Sequence, residues 1–249
     1  MVVLEAQTGF VIALLGLLGL ALLLFAPRIQ GTPGPWLAFF VGVLLYLIIH
    51  DLVDAVLLES ALRGDLGVAG TFALVAVGLL VGGAASLFLL RGAADRGAPA
   101  LGVAVLVGLL LALHTTLDGF VVGIAVQTIP GAQVVEASTI GLQAVHRALE
   151  GGLLVVVLLL ASIRRNRIFA AVVFVSLPLV ATAALASLTP DLVSAAISVL
   201  LAFVAAGVFF LLLLRGSWAA LAEDIESLRA APWLLVGFLV ALLAHNLAH

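Results

Sequence analysis

Long apolar runs separated by short polar breaks make up this chain. A bilayer core of about 30 Å needs about 20 apolar residues per spanning helix. Marking the polar breaks divides the sequence into eight such spans, roughly 8–26, 36–58, 68–90, 100–127, 138–162, 168–188, 191–214 and 232–249. The breaks hold most of the turn formers: Pro27 to Pro35, Arg63 to Gly67, Arg91 to Pro99, Thr128 to Ala137, Arg164 to Arg167, Thr189 to Asp191, and Arg215 to Pro232. In the last break, Ser217 to Arg229 carries Glu223, Asp224 and Glu226 at a periodicity that suits a short surface helix. No Arg or Lys precedes the first span, so the start lacks the pattern of a cleaved signal peptide. The pattern predicts an all-α integral membrane protein with eight transmembrane helices, a single domain over residues 1–249.

Composition narrows the function classes. The 249 residues are 65% apolar and 9% charged, against about 45–50% and about 25% in a soluble domain. A water-soluble enzyme, a nucleic-acid binder and a disordered chain are excluded. There is no Cys, hence no disulfide framework, thiolate metal site or thiol redox couple. All ten basic residues are Arg, which removes Schiff-base and lysine-nucleophile chemistry and any P-loop. The net charge of −3 gives no reason to expect a polyanionic partner.

The arginines also orient the chain. Breaks after spans one, three, five and seven hold Arg28, Arg91, Arg96, Arg164, Arg165, Arg167, Arg215 and Arg229, whereas the other side holds Arg63 alone. By the positive-inside rule the first set is cytoplasmic and both termini lie outside. The tenth, Arg147, lies within span five. Small-residue pairs such as Gly78/Gly82 and Gly119/Gly123 are candidates for close helix packing.

Ionisable side chains are expensive at mid-bilayer, at least about 2.5–3.5 kcal/mol each, and persist there only with a partner, water or an ion. Here they share one format. Span two has His50-Asp51-Leu-Val-Asp54, span four His114-Thr-Thr-Leu-Asp118-Gly119, and span five His146-Arg147-Ala-Leu-Glu150-Gly151. Span eight ends His245-Asn246-Leu-Ala-His249. Residues i and i+4 share a helix face with Cβ atoms about 6 Å apart, close enough for an imidazole nitrogen and a carboxylate oxygen to share one divalent cation at about 2.0–2.2 Å. At about 1.5 Å per residue, His114 lies about 21 Å from the inner start of its span and His146 about 12 Å from the outer start of its own. The two pairs therefore meet at similar depth on consecutive antiparallel helices. Taken singly, each is an ordinary interhelical hydrogen-bond pair; the matched depth points to a bound ion. Imidazole with carboxylate suits Zn, Fe, Mn, Co or Ni better than Cu(I).

The remaining groups are placed around that centre. His50, Asp51, Asp54, Glu59, His245 and His249 fall in the outer half, as an outer vestibule or as solvated helix ends. Thr115, Arg147 and Gln143 are candidates for a second-site or gating role. Thr115, Thr116, Gln127 and Gln143 are equally read as packing hydrogen-bond groups, and Arg147 as a counter-ion to Asp118 or Glu150 without any metal.

These residues resemble the ZIP (Zrt/Irt-like) family of divalent-metal transporters, which has eight spans, both ends outside and a metal site on spans four and five. His114-Thr115-Thr116-Leu117-Asp118-Gly119 resembles that family's H-N-x-x-[D/E]-G motif. His146-Arg147-Ala148-Leu149-Glu150-Gly151 resembles its H-[N/E/D]-x-P-[H/E]-[E/G] motif in the His, the Glu four later and the Gly. The resemblance implies a ZIP-like bundle in the cell membrane, crossing it many times. His114, Asp118, His146 and Glu150 would be the transport site. The cargo would be zinc first, then iron or manganese, without an organic cofactor; a homodimer is an admissible assembly. The chain departs from the pattern in four ways. The motifs' second positions, which often supply a ligand for an adjacent metal, are Thr115 and Arg147; an Arg beside a dication is repulsive, which implies one metal with Arg147 standing in for the second charge. The usual Pro is Leu149, which puts its helix kink in doubt. The break Arg91 to Pro99 is short and has no His. The pair His245/His249 has no counterpart in the family pattern.

Two other readings compete with a non-enzymatic transporter. One is a membrane-embedded zinc-dependent lipid amidohydrolase, ceramidase-like, using His50, Asp51, His245 and His249 to hold a water-activating zinc; it leaves the pairs on spans four and five unused. The other is a non-transporting protein whose polar pairs only fix helix registry. H-E-x-x-H is absent, against an intramembrane metalloprotease of that type.

Overall fold

A computed structural model describes residues 10–62, 67–128, 137–188 and 231–248. Among these residues the chain is almost entirely helical. The elements are α1 (Phe10–Gly31), α2 (Pro33–Leu62), α3 (Gly67–Asp95), α4 (Pro99–Thr128), α5 (Ala137–Leu160), α6 (Arg165–Leu188) and α7 (Ala231–Ala248). Four of the described helices are long and apolar enough to cross a membrane: Phe10–Gly31, Ala76–Asp95, Ala100–Gly119 and Arg165–Leu185. Large apolar side chains such as Leu24, Leu80, Phe88 and Phe174 stand on the outside, as expected where the surroundings are lipid rather than water. The expected span 191–214 and surface helix 217–229 lie outside the described residues.

The breaks are tighter than the polar pattern suggests. Helix continues through Pro27 to Gly31, and α2 begins at Pro33. Proline is tolerated in a first helical turn because its missing N–H would have no intrahelical partner there, and Pro27 sits in the first turn of the segment Ala26–Gly31. The α3–α4 and α5–α6 connections each close with the paired i→i−5 and i→i−3 bonds of a Schellman turn. Ala98 N donates to Ala93 O and Gly97 N to Ala94 O; Ile163 N donates to Leu158 O and Ser162 N to Leu159 O. Gly97 and Ser162 take the left-handed conformation that this turn requires.

The central element is α5. Every residue from Leu153 to Leu159 is buried, the mark of a helix enclosed on all sides. Around it lie Phe40, Val43, Leu44 and Tyr46 of α2, Leu106, Val107, Leu110 and Leu111 of α4, and Ile168 and Val172 of α6. The most extensive helix pairings are α4 with α6, α2 with α7, and α1 with α5.

The α1–α5 contact is unusually close, for a reason visible in the local helix type. Gly16–Phe25 of α1 is a 3₁₀ helix, in which residues three apart eclipse one another. Gly16, Gly19 and Leu22 therefore form one edge, and that edge meets Gly151 and Gly152. A Cβ on Gly19 would strike the backbone of Gly151 and Gly152, and one on Gly151 would strike the carbonyl of Gly16. This backbone-on-backbone seat fixes the height of α5 immediately beside Glu150.

Candidate metal centre

The polar residues of α4 and α5 meet just beyond the apolar half of α5. His114 and Asp118 stand one turn apart on α4; His146, Arg147 and Glu150 stand on one stretch of α5. His114, His146, Arg147 and Glu150 are 3%, 8%, 3% and 4% exposed, while the Asp118 side chain, at 26%, is the accessible edge. One donor atom from each of His114, Asp118, His146 and Glu150 lies within 4.8 Å of the others. These are the four residues that the spacing argument selects as ligands.

Three of the four converge further. Glu150 Oε1 is 2.9 Å from His114 Nε2 and 2.8 Å from His146 Nε2, and the two imidazole nitrogens are 3.4 Å apart. Oε1 therefore lies at hydrogen-bond distance from both imidazole nitrogens. Donors bound tetrahedrally at about 2.0–2.1 Å lie about 3.3 Å from one another. The longest edge of this triangle matches that spacing, and an ion would widen the two shorter edges. The donor set therefore fits a divalent metal held by two imidazoles and a carboxylate, with Asp118 Oδ2, 3.4 Å from His114 Nε2, beside it.

Arg147 lies behind this triangle. Its Nη1 donates to Glu150 Oε2 at 2.7 Å, and its Nη2 pairs with Asp118 Oδ2. The guanidinium thus joins α4 to α5 and offsets the charge of two carboxylates. The counter-ion contacts to Asp118 and Glu150 are thus both made, in the same cluster as the four candidate ligands.

The threonines serve the scaffold. The Thr115 hydroxyl faces backbone, its single proton within reach of Val175 O at 2.9 Å and Ala112 O at 3.0 Å. Thr116 donates to Ala112 O at 2.7 Å. Thr182 of α6 donates to Thr116 O at 3.0 Å. The Thr115–Val175 and Thr182–Thr116 contacts tie α6 to α4 on either side of Pro178, the proline inside α6. α5 itself runs unbroken through Leu149. Gly119 lets α6 approach: a Cβ there would come within 3.0 Å of Leu179 Cα. Gly119 as a close-packing position and Thr115 as a packing hydrogen-bond group are readable from the sequence; that α6 is the partner is not, because no residue of α6 is ionisable near the site.

His50, Asp51, Asp54 and Glu59 fall on α2, Gln143 on α5 and His245 on α7; their side chains and His249 lie outside the described residues. Compared with known proteins, the chain matches no family model, no curated protein and no solved structure.

Proposed function

We propose that this protein is a membrane transporter for a divalent transition-metal cation, with zinc as the first cargo and iron or manganese next. The observation that carries the reading is the convergence of His114 Nε2, His146 Nε2 and Glu150 Oε1 within 3.4 Å, buried between helices in an apolar surrounding. A ZIP-like bundle of eight spans with both termini outside, in the cell membrane, accords with the arginine asymmetry and with the His-x-x-x-acid pairs. Ion binding is split between helices: His114 and Asp118 on α4, His146 and Glu150 on α5. A site assembled from two helices can change its access when those helices move relative to one another. Seven consecutive buried residues, Leu153 to Leu159, close the path along α5 on one side, and Asp118 offers the approach on the other. With the arginine-rich side cytoplasmic, the described conformation receives the ion from outside and passage is inward.

The test is zinc uptake into liposomes containing the purified protein. Uptake above that of protein-free liposomes is expected, and His114→Ala abolishes it. Wild-type-like uptake by His114→Ala rejects the site assignment. Release of fatty acid from a ceramide-like lipid without metal flux supports the amidohydrolase instead.

A further inference from the structure

The guanidinium of Arg147 divides the carboxylate oxygens of the cluster into two sets. Asp118 Oδ2 and Glu150 Oε2 face the cation. Glu150 Oε1 faces the two imidazoles. The metal place is thereby left with two nitrogens and one oxygen, with Asp118 already engaged.

The cation is held in place. Beside it lies a small cavity of about 20 Å³, bordered among others by Thr115, Gly151 and Ser176. That is room for about one water molecule. Arg147 Nε has no hydrogen-bond partner among the described residues, so the group is gripped by the two carboxylates through its terminal nitrogens. With two carboxylates, one guanidinium and both imidazoles neutral, as metal binding requires, the site carries one net negative charge. Without Arg147 it would carry two, and both Glu150 oxygens and Asp118 Oδ2 would be available to an ion. Nitrogen donors favour zinc, cobalt and nickel, whereas carboxylate-rich sets favour manganese, magnesium and calcium.

We propose that Arg147 is a specificity-determining residue, a tethered cation that withholds one carboxylate oxygen on each helix and so makes the site prefer zinc over manganese. The inference rests on the metal-site reading above but not on transport, and it is tested by binding. Zinc and manganese affinities are measured by equilibrium dialysis with elemental analysis on the full-length protein in detergent. Arg147→Gln and Arg147→Lys are compared with wild type, and their folding is checked by gel filtration and circular dichroism. Lysine retains the charge but is a point donor that lacks the planar fork needed to hold two carboxylates at once. Arg147→Gln is expected to raise manganese affinity relative to zinc by at least about tenfold, and Arg147→Lys by a smaller factor, because each releases carboxylate oxygen to the ion. A folded Arg147→Gln with the wild-type ratio overturns the proposal. If that variant does not fold, an unchanged ratio in Arg147→Lys overturns it equally. Normal zinc binding by wild type with unchanged ratios in the variants refutes the role of Arg147 alone; absence of zinc binding by wild type refutes the metal site as well.

Discussion

Glu150→Gln is expected to abolish zinc uptake and to weaken zinc binding by more than the about 10–100-fold typical of losing a group that only supports a ligand. Oε1 of Glu150 lies near both imidazoles, at 2.9 and 2.8 Å, and each donor in a three-donor set is a large share of the affinity. Glutamine keeps the volume, and its amide oxygen can still accept a hydrogen bond from Arg147. It removes the negative charge, however, and offers the metal a neutral donor or an N–H that cannot bind it. The site then holds one carboxylate against one guanidinium, with no net charge to attract a dication. Isothermal titration with zinc and radiolabelled zinc uptake into liposomes measure the two effects. Wild-type affinity in Glu150→Gln would show that the ion, if any, binds elsewhere.

Gly151→Ala is expected to destabilise the protein by about 3 kcal/mol or more, at or beyond the upper end for overpacking. A Cβ there meets the carbonyl of Gly16, and backbone cannot rotate aside as a side-chain tip does. Relief requires α1 to leave α5, which also shifts Glu150, one residue away. Gly108→Ala on α4 is the contrasting case: its nearest contact would be Leu154 Cδ1 at 3.8 Å, ordinary van der Waals distance, and alanine is the better helix former by about 1 kcal/mol. Thermal unfolding in detergent should separate the two variants widely. Equal melting temperatures would contradict the seat of α1 on α5.

Much of this arrangement was legible from the residues. Apolar run length locates helices because membrane thickness sets it, and the described helices lie on the expected spans one to six and eight. Helix reaches further into the break Pro27 to Pro35 than the polar pattern suggests, since proline is tolerated in a first helical turn. His114, Asp118, His146 and Glu150 could be grouped in advance because i, i+4 spacing and matched depth are both helical arithmetic. Arg147 was readable as a charge partner, three residues before Glu150 on the same face. Its simultaneous grip on Asp118 was not, because that depends on how the two helices rotate against one another. The glycine seat escaped for a different reason. The small-residue pairs singled out, Gly78/Gly82 and Gly119/Gly123, assume the 3.6-residue period. Gly16 and Gly19 are three apart and lie in a 3₁₀ segment, which nothing in Gly16 to Phe25 announces. The outer-vestibule assignment of His50, Asp51, Asp54, Glu59, His245 and His249 rests on sequence placement alone.

The central claim is that a divalent metal is bound between α4 and α5. Anomalous X-ray scattering at the zinc edge, from crystals of the zinc-saturated protein, tests it most directly. The expected result is a peak about 2.0–2.2 Å from His114 Nε2, His146 Nε2 and Glu150 Oε1. A peak confined to other residues, or none between these two helices at saturating zinc, would contradict it.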